Sequence, residues 1–105
     1  MAESKFQGDL IVELKEKFPG CIVMKNDPNY IQGIPDLIIL WGKKWAALEC
    51  KRDSHAPFQP NQAYYIAKMN KMSFAAAIYP ENKEDVLYDM ERAFGTRRRS
   101  RTVRS

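Results

Sequence analysis

The sequence predicts a single α/β domain with elements in the order α-β-β-β-α-β-α. Three observations carry that reading. Phe6, Leu10, Ile11, Leu14 and Phe18 recur at helical spacing, which marks an amphipathic helix. Two apolar runs, residues 37–41 and 45–50, flank Gly42-Lys43-Lys44, a turn signal between strands. A compact apolar run over residues 73–79 follows a second helical segment. At 105 residues the chain holds one core rather than two.

Taken in order, Ser4 is a candidate N-cap, and the first helix spans residues 4–18 before Pro19-Gly20 ends it. Residues 21–24 are short, apolar and β-branched, a strand. Asn26-Asp27-Pro28-Asn29 is dense turn chemistry; Asp27 either takes part in metal binding or caps its own turn. Gly33 serves a backbone angle other residues avoid, or a close approach to a phosphate. Pro35 fixes its own dihedral and restricts Ile34, pinning Asp36 at the start of a strand. The second helix is expected over residues 59–71 with Pro60 in its first turn. Its buried side is expected to draw on Ala63, Ile66 and Ala67, with Tyr64 and Met69 as further candidates. Pro80-Glu81-Asn82 opens a last helix with Val86, Leu87, Met90 and Phe94 on one stripe, stopped by Gly95.

The hairpin places charge where a sheet rarely tolerates it. With Gly42-Lys43 as a two-residue loop, Trp41 faces Lys44 and Asp36 lies opposite Glu49. Opposed residues share a face and side chains alternate, so Lys51 joins them. A three-residue loop without a bulge puts Glu49 on the other face. The first register gathers two carboxylates and an ammonium at one end of the hairpin. Two adjacent carboxylates repel and favour a cation between them; oxygen-only ligands suit magnesium, which takes one or two carboxylates and keeps several waters. The chemistry such a group fits is phosphodiester hydrolysis.

Gly33-Ile34-Pro35-Asp36-Leu37, Glu49-Cys50-Lys51 and the downstream Gln59 and Gln62 resemble the PD-(D/E)XK nuclease superfamily. The likeness is to its VRR-NUC branch, in particular the short stand-alone phage members with Holliday-junction-resolvase-like character. It covers residues 13–79. The resemblance implies a central mixed β-sheet flanked by helices, a restriction-endonuclease-like core. It also implies an endonuclease dependent on Mg2+ or Mn2+. Asp36 and Glu49 would hold the metal with the Cys50 backbone carbonyl, and Lys51 and Gln62 would complete the catalytic set. The superfamily often places a further acid on the first helix; Glu13 is the candidate and Glu3 a weaker one, against the reading of both as solvated helix glutamates. Gln62-x-x-Tyr65 departs by one residue from the RecB-like Gln-x-x-x-Tyr spacing, so Tyr65 is not carried over. The expected substrate is DNA, duplex or branched as in a Holliday junction, cut by a homodimer with two sites. The rival readings are a non-catalytic nucleic-acid-binding or replication-accessory module on the same fold, and an oligomeric scaffold.

Candidate nucleic-acid contacts are Lys43, Lys44, Arg52, His55, Gln59 and the tail residues Arg97, Arg98 and Arg99. Each has a plainer reading as a solvated side chain. Trp41 and Trp45 either stack on bases, form a dimer contact or pack in the core. The net charge of +4 is supplied by the tail: residues 96–105 hold five arginines and no acid, leaving 12 basic against 13 acidic residues in 1–95. The nuclease domain is therefore set at 1–95, with 96–105 an Arg-rich segment expected to be disordered when free and able to contact phosphates. Cys21 and Cys50 have no metal-type spacing and are read as reduced and buried. No Gly-rich phosphate cradle occurs, so no nucleotide cofactor is expected. No apolar run reaches the ~20 residues of a membrane helix and the N-terminus lacks a secretion layout. The expected location is the cytoplasm, that of the host for a phage-encoded chain.

Overall fold

The computed structural model describes residues 2–95. Its elements are α1 (Glu3–Lys17), β1 (Ile22–Lys25), β2 (Leu37–Trp41), β3 (Lys44–Cys50), α2 (Gln62–Met72), β4 (Phe74–Ile78) and α3 (Lys83–Phe94). The strands form one sheet in the order β1-β2-β3-β4. The β1–β2 and β2–β3 pairs are antiparallel and β3–β4 is parallel, so the sheet is mixed and α2 is the crossover that a parallel pair needs. The Arg97, Arg98 and Arg99 candidates lie outside the described residues.

One face of the sheet carries the core. Leu37, Ile39, Ala46, Leu48, Cys50 and Ile78 meet Phe6, Leu10, Leu14 and Phe18, and Val86, Leu87, Met90 and Phe94. Those two helical sets are the apolar stripes of α1 and α3, extended at one end by Phe18, the residue that ends α1. Trp41 belongs to this side. Its ring lies 5.4 Å from Phe18 and 5.9 Å from Phe94, and its indole Nε1 donates to the Pro19 carbonyl at 2.9 Å. A tryptophan so engaged is a packing residue.

The other face is covered by α2 against β3 and β4, and more thinly. No α2 side chain is fully buried. Ala63, Tyr64 and Ala67, expected on its buried side, are exposed; Gln62, Tyr65, Ile66 and Met69 form the half-buried stripe instead. The cause is the start of the helix. Asn61 takes a left-handed conformation, φ 71°, so the helix begins at Gln62, Pro60 stays outside it, and every later side chain is placed from that origin. Beside α2, Ile22, Met24 and Leu40 remain exposed on the β1–β2 part of this face.

Three smaller differences share a local origin. Ser4 sits inside the first turn of α1, whose N-cap is Ala2. β1 is shifted one residue to Ile22–Lys25, leaving Cys21 half-buried, its thiol against the Leu14 carbonyl. Asn82 caps the sheet-to-helix corner, accepting from Tyr79 N at 2.8 Å and donating to Ala77 O at 3.1 Å, so α3 opens at Lys83. Among the described residues no helix is long and apolar enough to cross a membrane.

Candidate active site

The β2–β3 hairpin adopts the two-residue register. Trp41 pairs with Lys44 and Leu37 with Leu48, and Gly42 takes φ 60° to make the turn. One step beyond the ladder, Asp36 comes beside the end of β3, where Cys50 N–H donates to its Oδ2 at 2.9 Å. N–H and C=O of one strand residue point to the same side, so the Cys50 carbonyl also leaves β3 toward Asp36. The Cys50 side chain goes the other way, into the α1–α3 core. Burial, then the Asp36 and Glu49 charges, push its thiol up to about 12. It is an inert core residue.

Glu49 and Lys51 are almost wholly enclosed, at 2% and 6% exposure. Burying charge is costly unless it is paired and hydrogen-bonded, and α2 supplies the pairing. Gln62 Nε2 donates to Glu49 Oε2 at 2.9 Å, while Gln62 Oε1 accepts from Lys51 Nζ at 2.7 Å. Lys51 Nζ also donates to the Pro57 carbonyl at 3.0 Å and lies 3.6 Å from Glu49 Oε2. The Gln59 backbone N–H donates to Gln62 Oε1 at 2.7 Å, which fixes the orientation of the amide. Gln62 is thus a bridge between acid and ammonium, and Gln59 reaches the group through its backbone.

The pairing is incomplete in one direction. Glu49 Oε1 is buried with no hydrogen-bond partner. Burial first, and the Asp36 charge second, raise the Glu49 carboxyl from 4.5 to about 7 against the lowering effects of Lys51 and the Asp36 backbone N–H; Glu3 adds to the rise. Asp36 is raised as well, by burial, against the opposing effects of Cys50 N–H and Lys51. Two adjacent acids with raised proton affinity and one orphaned oxygen form a site short of positive charge.

The donor set fits a hard divalent cation of the magnesium type, which needs only one or two carboxylates and brings its own waters. Among the described residues no cluster of three His, Cys, Asp or Glu side chains suits a metal, so a fully protein-ligated zinc-type centre has no support here. No family model, curated protein or solved structure matches the chain.

Two loops hold the acids in place. Asn26 N–H donates to Asp36 O at 2.8 Å and Asn26 Nδ2 to Pro35 O at 2.7 Å, clamping the Pro35-Asp36 corner. Gly33 takes the backbone angle expected of it, φ 91°, and a Cβ there would lie 2.5 Å from Asn61 Cβ and 2.8 Å from Pro60 O. The close approach is to the lead-in of α2, so the loop bearing Asp36 and the helix bearing Gln62 dock through a glycine.

The remaining candidates lie elsewhere or act otherwise. Glu13 is turned to Lys83 at 2.8 Å on the α1–α3 side, roughly 15 Å along α1 from Glu3 at 1.5 Å per residue; Glu3 is the α1 acid whose charge reaches Glu49. Asp27 caps its own turn, accepting from Asn29 N–H at 2.8 Å. Lys43 and Lys44 are exposed at the hairpin tip, and Lys44 is roughly 17 Å from Glu49 by strand rise. Arg52 pairs with Asp53 at 3.3 Å. His55 meets the same aspartate through its backbone N–H at 2.8 Å; that N–H, then Arg52, hold the Asp53 carboxyl below its ordinary value. Trp45 is half-buried, its carbonyl accepting from Ser73 Oγ.

Three contributors escape a reading of the sequence: Asn26, the Pro57 carbonyl, and Phe58, whose ring centre lies 5.3 Å from Lys51 Nζ. Asn26 is hidden in a turn-rich run. Pro57 acts through its backbone. Phe58 carried one usable signal, an aromatic between two prolines four residues before Gln62.

Proposed function

We propose that this protein is an endonuclease that hydrolyses DNA phosphodiester bonds with Mg2+ or Mn2+. The observation that carries the reading is the buried, unpartnered Glu49 Oε1 beside Asp36, in a group whose only enclosed cation, Lys51, leaves both acids with raised proton affinity. A purely structural ion pair has no need of the second acid. A phosphoryl-transfer site does, because substrate and cation arrive together.

In this mechanism Asp36, Glu49 and the Cys50 carbonyl hold the divalent ion. The ion supplies Lewis-acid polarisation of the phosphoryl group. Lys51 has three N–H donors; Pro57 and Gln62 take two, and the third serves a phosphate oxygen as charge develops there, or orients the attacking water. Gln62 keeps Lys51 and Glu49 in register, so the group is set before substrate arrives. Resemblance to PD-(D/E)XK nucleases of the VRR-NUC type supports the same roles. It extends them to branched DNA as substrate and a homodimer with two sites; the cytoplasm is proposed as the place of action.

The test offers single-stranded, duplex and four-way-junction DNA with Mg2+, Mn2+ or chelator, to the wild type and to Glu49→Gln. Metal-dependent cutting that the variant loses, with binding retained, is the expected result. Binding without cutting under every metal would replace the nuclease by a recognition module.

A further inference from the structure

The loop after β3 presents one side chain, Phe58, that catalysis by Asp36, Glu49, Lys51 and Gln62 does not use. Phe58 is 51% exposed, although large aromatic side chains gain most from burial. Its position is nonetheless tightly held. On one side of it the Pro57 carbonyl accepts from Lys51 Nζ; on the other the Gln59 N–H donates to Gln62 Oε1. Prolines 57 and 60 stiffen the same segment. The residues that pin the loop are thus two members of the catalytic group, and the ring they present stands 5.3 Å from the Lys51 ammonium. The backbone on either side of Phe58 is thus held by the buried Lys51 and Gln62, and it carries the exposed ring to the edge of that group.

We infer that Phe58 is a stacking platform for an unpaired nucleobase of the nucleotide next to the scissile phosphate. The inference rests on the nuclease reading and adds the substrate class, a strand whose base is free to leave the helix. A lysine that faces a phosphate oxygen places the adjoining nucleotide within reach of a ring beside that lysine. The exposed part of the ring is apolar, and every base has a π-face that can cover it. In intact duplex DNA the bases already stack on one another, so the platform gains most from single strands, forks and junction centres. The loop is fixed in advance, so little ordering cost falls on binding.

The experiment is a cycle between protein and DNA. Fluorescent single-stranded and forked oligonucleotides are prepared with one abasic nucleotide, moved through every position in turn. Affinity is measured with Ca2+ and single-turnover cleavage with Mg2+, for the wild type, Phe58→Ala and Phe58→Trp. The expected result is one position at which base removal weakens wild-type binding about five- to a hundred-fold, the range for one base–aromatic stack. The same removal leaves Phe58→Ala unchanged, Phe58→Trp restores the dependence, and intact duplex shows little of it. Equal abasic penalties in wild type and Phe58→Ala at every position, with cleavage present, would overturn the platform and leave the nuclease standing. The converse is equally readable: a Phe58-dependent abasic penalty in binding, with no cleavage under any metal, would remove the nuclease and keep the platform. Loss of cleavage in Phe58→Ala on all substrates alike, with no positional signature, would also overturn it, because the ring would then only be steadying Lys51.

Discussion

Glu49 is the residue at which the proposed function and stability pull apart. Its carboxyl is raised from 4.5 to about 7, so between those pH values the folded protein holds a proton the unfolded chain has lost. Stability therefore falls as pH rises through that window and stays lower above it. Each tenfold change in proton affinity is worth about 1.4 kcal/mol, which makes the ionised group cost about 3 kcal/mol. Neutralising it should recover that cost: with chelator at pH 8, Glu49→Gln is expected to melt about 5 °C or more above the wild type. Mn2+ or Mg2+ should raise the wild-type melting temperature at pH 8 and leave the variant unmoved, while the variant no longer cuts DNA. Thermal scans at pH 5.5 and 8, with metal and with chelator, check all of this. Equal melting of the two proteins at pH 8 in chelator would mean that Lys51 fully compensates Glu49. Gln62 gives a second prediction. Gln62→Ala removes the bridge to both Glu49 and Lys51, and loss of register at a reacting centre costs on the order of 100-fold. Single-turnover cleavage should fall by about that factor, with DNA affinity nearly unchanged.

The hairpin and α2 show how much of an element is written locally. The β2–β3 register was legible because Gly42 allows a two-residue turn and because a one-residue slip would flip Leu37, Ile39 and Leu48 out of the core. Asp36, Glu49 and Lys51 followed from that alternation, and the sequence brought them together correctly. The start of α2 was not legible. Asn61 leaves the helical region at the point where the Gly33 loop packs against it, a contact between residues far apart in the chain. The face of α2 then rotated, taking Ala63, Tyr64 and Ala67 outward. Glu13 missed for a related reason: both glutamates lie on one helix, and only the packing of α1 decides which end approaches β3. The Gly33–Asn61 contact is itself open to test. Gly33→Ala adds a Cβ 2.5 Å from Asn61 Cβ at a φ of 91°, so strain and clash act together, and a loss of about 2 kcal/mol or more in urea unfolding is expected. Asn61→Gly should be tolerated alone, since glycine suits the left-handed angle. In the double variant it should rescue Gly33→Ala only in part, because Asn61 C and Pro60 O, at 2.7 and 2.8 Å, are still in the way.

At the scale of the molecule the two faces of the sheet differ in charge as well as packing. α1 and α3 together carry eight acids, Glu3, Asp9, Glu13, Glu16, Glu84, Asp85, Asp89 and Glu91, against five bases, Lys5, Lys15, Lys17, Lys83 and Arg92; this layer, net acidic by three, holds the core. α2 carries Lys68 and Lys71 and no acid, and it covers the face from which Glu49 and Lys51 meet Gln62. On the proposed nuclease function, a phosphate backbone is expected to approach from the α2 side rather than from the net-acidic core side. Each phosphate neutralised by a lysine lowers the slope of log affinity against log salt by about 0.9 for duplex DNA and 0.7 for single strands. Lys68→Gln with Lys71→Gln should thus weaken binding alike across sequences and make the slope shallower by about 1.5. Lys15→Gln, on the acidic layer, should leave the slope unchanged. Titrations from low to moderate salt, with Ca2+ in place of Mg2+, give both values. Equal effects from the two layers would mean that DNA does not read this asymmetry and is guided by the site alone.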